Sequence, residues 1–296
     1  MLDTGNITSI KGDTSVRRIH IIRRLTLIIP ATILILLVLT AIFAPWIAPH
    51  NPEKTAMRDR LLPPFWADEG KTTYLLGTDN LGRDVLSRVI YGARISLSVS
   101  LLVILITSSV GTVLGIIAGY LGGRTENVLM RITDVSLSFP AILIAILLAA
   151  SIGPGYWTVV LALSILGWSP YARLIRGEAL RLREEDFVAQ ARIIGASPIR
   201  IMLRHIFPNI INPLIIMMTL SVGMVILTEA GLSFLGAGIP PPTPSWGAMV
   251  NDGRNYIDSS WWISFFPGIA IGLVVMSGNF LGDWLRDKLD PRLRQI

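Results

Sequence analysis

Few residues in this sequence of 296 could do chemistry, and their spacing excludes most of it. There is no cysteine, which removes thiolate nucleophiles, thiolate metal sites and disulfides. The histidines His20, His50 and His205 stand far apart and form no HxH or HxxxH ligand pair, and no metal site is expected. No HExxH or GxSxG pattern serves a hydrolase. Gly70-Lys71-Thr72 has the ending of a phosphate-binding loop, but Phe65 stands where that pattern needs its first glycine. Two acids lie in or beside apolar runs. Asp134 precedes Pro140 and reads as a boundary residue at a helix N-terminus. Glu229 lies deep in an apolar run and must face a partner or water, either lining a substrate path or making a structural hydrogen bond. One such acid falls short of the relay or paired-ion site that a proton-coupled carrier needs. The chain therefore reads as non-catalytic and without a cofactor of its own.

The elements that would position these residues are set by solvent. Hydrophobic residues make up 52%, charged residues only 16%, and the mean hydropathy is +0.60. Soluble chains carry about 25% charged residues, so this composition points to lipid. Six apolar segments run at about 25–47, 95–118, 135–152, 157–168, 214–235 and 262–281. The fourth is short for a span of about 20 residues. The first is too long for the apolar core of a signal peptide and reads as a retained span. The expected fold is all-α: a polytopic membrane protein with six transmembrane helices and both termini cytoplasmic. With that orientation the inside segments hold 18 of the 26 basic residues and the outside segments 8, as the positive-inside rule requires. A pI near 10 then means loops facing anionic headgroups, with no nucleic acid as partner. Trp46, Trp157, Trp168, Trp246, Trp261 and Trp262 fall near span ends, as an aromatic belt would.

Gly111, Gly115 and Gly119 recur at intervals of four, which stacks them on one helix face as a close-packing groove for another helix. The segment 169–213 is too polar to span and too periodic to be disordered. Acids at 184–186 open a helix, Val188, Ala191 and Ile194 share one face, and Gly195 stops it. Ile199, Met202, Leu203 and Ile206 repeat the pattern until Pro208, which is expected to break it. Two short amphipathic helices about a glycine turn suit docking into a protein groove, or lying on the bilayer. Pro240, Pro241, Pro242 and Pro244 make the segment before Trp246 stiff and helix-free, a shaped external cap.

These residues resemble a known family. Ala189-Gln-Ala, Gly195 and Pro208 have the spacing of the EAA loop of ABC-importer permeases, with Ala189 in place of its glutamate, Gln190 of an alanine, His205 of an isoleucine and Phe207 of a leucine. Leu76-Gly-Thr-Asp-Asn-Leu-Gly-Arg-Asp-Val, Tyr91-Gly-Ala-Arg, Ala191-Arg-Ile-Ile-Gly-Ala-Ser, His205-Ile-Phe-Pro-Asn, Leu232-Ser-Phe-Leu-Gly and Leu281-Gly-Asp-Trp-Leu-Arg-Asp are similar to the C-type permeases of dipeptide and oligopeptide importers. The resemblance covers the chain from Leu25 onward. It implies half of a peptide pore in a prokaryotic inner membrane, embedded in lipid. It also implies a second B-type permease, two ATP-binding-cassette ATPases holding ATP and Mg, and an extracytoplasmic peptide-binding protein. Ala189, Ala191, Gly195, Ala196 and Pro208 would form the ATPase coupling loop. Gly77, Asp79, Gly82, Arg83, Pro241, Pro244 and Trp246 would serve the external gate and binding-protein contact. The expected organisation is a cytoplasmic tail (1–24), a first span with external segment (25–94), the permease domain (95–283) with coupling loop 169–213, and a C-terminal tail (284–296). An ion-driven secondary carrier, or the same assembly carrying nickel chelate, glutathione or antimicrobial peptide, is the alternative.

Overall fold

The computed structural model describes residues 27–289, so the expected tail at 1–24 and the last residues of the C-terminal tail lie outside the described residues. Among the described residues the architecture is helical, with one isolated bridge between Thr78 and Asp84. In chain order the helices are α1 (Leu27–Ile42) and α2 (Ala44–Ile47), then α3 (Val85–Leu121), α4 (Gly123–Ser138), α5 (Ala141–Ile152) and α6 (Tyr156–Arg183). They continue as α7 (Asp186–Ile193), α8 (Pro198–Ile201), α9 (Phe207–Phe234), α10 (Trp246–Gly253) and α11 (Trp262–Leu289).

Among the described residues, four helical stretches are long and apolar enough to cross a membrane: α3, α6, the continuous run Pro198–Phe234, and α11. The pair α4–α5 makes a fifth if counted as one broken span; it bends by 79°. The bend falls at Phe139-Pro140, where Pro140 is extended and caps α5, so the expected third segment is two helices at an angle. Helix α1 has 16 described residues, short of a full crossing.

Helices α3, α6, α9 and α11 all outrun their apolar segments. Helix α3 begins ten residues before the expected Ile95, because the Asp84 carboxylate caps it by accepting from the Ser87 N–H at 3.0 Å. Helix α6 runs on through the polar residues 169–183. Its lower half buries Tyr171, Ala172, Ile175, Ala179 and Leu182 while Arg173 and Arg176 pair outward with Asp134 and Glu126. Of the segment 169–213, only 184–197 stands apart from α6 and from the continuous run that leads into α9.

Helix α3 is the centre. Its face at Gly111, Gly115 and Gly119 meets the backbone of α6 at Trp168–Ala172, Ala172–Arg176 and Arg176–Leu180 in turn, so the two helices run parallel. Helix α9 packs antiparallel on α11 through Gly223, Gly278 and Gly282. Leu34, Leu37 and Ala41 of α1 cover the seam formed by Ala93, Ile226, Ala270 and Val274. One end of the bundle, the base, carries α7 and α8. The other, the crown, carries the segment 48–84 and the loop from Leu235 through α10 to Trp261.

Candidate functional site

At the base, α7 ends in a glycine turn with two closing bonds. Gly195 N–H donates to Arg192 O and Ala196 N–H to Ala191 O, both at 3.0 Å, with Gly195 at φ +82°. Ser197 then caps α8, with Pro198 in its first turn. Val188 and Ala191 turn inward with Ile201 and Ile206 onto Ile116, Ile175, Ala179 and Leu182. Each such fully buried valine or isoleucine contributes roughly 1.5–3 kcal/mol relative to exposure in water. Ile194 does not share that face. It follows the last helical residue of α7, so its side chain leaves the inward stripe, and Ile193 and Ile194 are 84% and 83% exposed. Ile199 and Leu203 are also exposed but line a groove with Leu105, Val113 and Ile117 of α3, so the large aliphatic side chains presented by the glycine turn itself are Ile193 and Ile194. Ala189 is exposed and Ala196 half-buried.

Pro208 does not break the helix. Residues Met202–Ile206 form a π segment, in which Phe207 N–H donates to Met202 O, and α9 continues through Pro208. The wider turn relieves the clash that a proline ring makes with the carbonyl four residues back.

Between α3, the α4–α5 bend, α6 and α9 lies a cavity of about 270 Å³. Thr107, Ser136, Ser221 and Thr228 supply hydroxyls and Met217 and Met224 thioethers, and its lining carries no charged side chain. Tyr171 Oη donates to Ser221 Oγ at 2.9 Å and so joins α6 to α9 along its wall. Sequence reasoning missed this cavity, because its walls come from four separate stretches and carry no motif.

Glu229 is fully buried and does not line that cavity. Its carboxylate accepts from Ser96 Oγ at 3.2 Å and Ser233 Oγ at 2.9 Å, tying α9 to α3. Ser233 lies 3.5 Å from Ser245, the N-cap of α10.

The crown is held by an ion network. Arg83 Nε reaches Asp79 Oδ2 at 2.6 Å, and Arg83 and Arg88 both reach Asp252 Oδ2, at 3.3 and 3.6 Å. Arg88 also lies 3.5 Å from Asp79. Burial pushes the Asp252 carboxyl above its usual range, and the two arginines oppose that shift. Asp79 and Arg83 are thus inside the crown, bracing the segment 48–84 against α10. Arg88 and Asp252 were not legible as members, since Asp252 is 169 residues from Arg83. Gly77 and Gly82 take φ of +79° and +74° beside them.

Trp246 and Trp262 do not join an aromatic belt. Both are buried: Trp246 donates to Val89 O at 2.9 Å and packs on Gly92, and Trp262 donates to Thr78 O at 3.0 Å. Trp46 and Trp157 are exposed. Pro244 is buried and Pro241 exposed in the helix-free stretch before α10, a helix that the proline run had concealed.

A family model described as "Binding-protein-dependent transport system inner membrane component" matches residues 111–295. The chain belongs to this family of transport permeases. A second model, the N-terminal TM domain of oligopeptide transport permease C, matches residues 28–64. Among curated relatives, the permease is 45% identical to the dipeptide transport system permease protein DppC of Escherichia coli, over 88% of this chain and 87% of that one. It is 42% identical to the di/tripeptide transport system permease protein DppC of Pseudomonas aeruginosa, over 88% and 86%. A solved chain of the MetNI methionine ABC transporter, in inward-facing conformations, shares the fold, with TM-score 0.55 and 16% identity over 66% of this chain and 93% of that one. The permease is a multi-pass inner-membrane subunit of an ABC transport system and is non-catalytic, ATP hydrolysis residing in separate subunits. It works with other permease, ATPase and binding-protein components.

Proposed function

We propose that this permease is the C-type half of a peptide-import pore, with six spans, both termini cytoplasmic, and the base facing the cytoplasm. The peptide substrate is carried by its similarity to relatives named for dipeptides and di/tripeptides. Pairing with one B-type permease, two ATPases that hold ATP and Mg, and an external binding protein is part of the same reading, supported by the family's dependence on a binding protein.

The observation that carries the mechanism is the base surface. Ile193 and Ile194 are exposed beside the Gly195 turn, at the end of a helix whose other face is packed into the bundle. An apolar ridge on a polar side of a membrane protein fits a groove in a partner. The turn sits between the ends of α6 and α9, and those two helices wall the cavity. Displacing the turn as the ATPases close would move α6 against α9 and change access to the cavity. Transport acquires direction because nucleotide and substrate favour different states. A mostly apolar wall without charge imposes no charge selection on a peptide's side chains. The buried crown network and the Pro241-to-Trp246 stretch would brace the external gate. Glu229 would hold α3 and α9 together rather than line the path.

The test is co-purification of the tagged chain from its own membranes in mild detergent, followed by ATP-driven uptake of labelled dipeptide into proteoliposomes. Recovery of a second permease with ATPases, and dipeptide uptake that needs ATP and the binding protein, is the expected result. Recovery of the chain alone, stable and monodisperse, would sink the reading.

A further inference from the structure

The crown carries an aromatic patch that none of the roles above uses. Phe65 and Trp66 stand edge to face at 5.2 Å, and Trp66 meets Phe266 at 6.3 Å. Phe266 in turn touches Phe265 at 5.6 Å and Trp261 at 6.0 Å. The rings form one continuous group. Phe65, Trp66, Trp261 and Phe265 are each between 42% and 53% exposed.

The turn that presents Phe65 and Trp66 is built firmly. Phe65 N–H donates to Leu75 O, Ala67 N–H to Pro64 O and Gly70 N–H to Ala67 O. A side chain at Gly70 would collide with the Pro64 carbonyl, so the turn is compact. Leu61 and Leu76 on either side of it pack with Trp262 and Ile263 in the first turn of α11. The turn is thereby fixed to the start of a membrane-spanning helix.

What covers the patch follows from its continuity with the rest of that helix. Trp261, Phe265, Ile269, Met276 and Phe280 are exposed at helical spacing, an apolar stripe that runs along most of the length of α11. On a spanning helix such a stripe faces acyl chains. Its first residues lie at the level where the apolar span begins, which is where tryptophan and phenylalanine meet headgroups. Trp66 touches that group from the side, so it shares that depth.

We propose that the Phe65–Trp66 turn is a membrane anchor, inserted in the phospholipid headgroup layer of the crown-side leaflet. It holds the long segment 48–84 down on the bilayer, beside the pore rather than over it. The inference needs the membrane placement of α11 and is independent of which solute is carried.

Because the chain has no cysteine, an Ala67→Cys variant offers one labelling site beside Trp66. The assembled transporter, labelled there with an environment-sensitive fluorophore, would be placed in nanodiscs of phosphatidylethanolamine and phosphatidylcholine. Unsubstituted complex reads the background from partner subunits. The expected result is a blue-shifted emission, mostly quenched by headgroup-spin-labelled phosphatidylcholine and little by aqueous iodide. Adding Phe65→Ser and Trp66→Ser should reverse that preference. Iodide quenching without lipid quenching in the native loop would overturn the proposal. So would iodide access that is lost only when the soluble binding protein is added, which would make the patch a protein dock.

Discussion

Replacing Gly115 with alanine tests the packing of α3 on α6 at the middle of the glycine face. A Cβ there would lie 2.8 Å from the Ala172 carbonyl oxygen, 2.8 Å from Ile175 Cβ and 3.0 Å from Arg176 N. Carbon contacts are comfortable at about 3.5–4.0 Å, so α6 would have to retreat by roughly 0.7–1.2 Å. Two of the three neighbours are backbone atoms, so no rotamer change relieves them. Overpacking of this kind costs about 1–3 kcal/mol. Alanine also favours helix over glycine by about 1 kcal/mol, which would mask part of the loss. Gly272→Ala in α11 removes that ambiguity, because a Cβ at Gly272 meets nothing within 4 Å and its φ is ordinary. The helix preference cancels between the two variants and the packing cost remains. At about 2–4 °C per kcal/mol for large domains, Gly115→Ala should melt roughly 2–12 °C below Gly272→Ala. Thermal unfolding of the two variants, purified identically and followed by size-exclusion of the intact species, measures this. A Gly115→Ala protein that melts with or above Gly272→Ala would refute the close-packing account.

Gly195→Val adds a Cβ that would meet nothing within 4 Å, so its main cost is the left-handed backbone, about 1–3 kcal/mol. It should insert and assemble but hydrolyse ATP with reduced peptide uptake; an unchanged ratio of uptake to hydrolysis would remove Gly195 from coupling. Asp79→Ala takes from the buried Arg83 and Arg88 the nearer of the two carboxylates they share, leaving them Asp252, and should cost about 3–5 kcal/mol, whereas Lys71→Ala, at an exposed pair with Asp59, should cost under about 1 kcal/mol. Their melting temperatures in the assembled transporter decide that contrast. Glu229→Leu strands the hydroxyls of Ser96 and Ser233, at about 1–3 kcal/mol for each buried group left unpaired, while Glu229→Gln keeps an acceptor for one of them. A stable Glu229→Gln protein with near-normal uptake is expected, and a stable one without uptake would instead put Glu229 on the transport path.

Some of this protein could be read without its structure because the signals are local. Lipid as solvent follows from a charged fraction of 16%, since a chain that poor in charge cannot coat itself for water. The Gly195 stop is local too, because a left-handed cap needs a residue without Cβ wherever it lies. The glycine face was legible as a face from spacing alone, and its partner was not, because Trp168–Leu180 carries polar residues that hid a helix. Tertiary structure decided the rest, where distant segments share one environment. It carried α6 through Arg173 and Arg176 by pairing them with Asp134 and Glu126 from α4. It buried Trp246 and Trp262 by giving their N–H groups carbonyls on α3 and at Thr78. It joined Asp252 to Arg83 and Arg88, and it opened the cavity between four separate stretches. A sequence states which side chains need a partner; only the packed chain supplies which partner comes within reach.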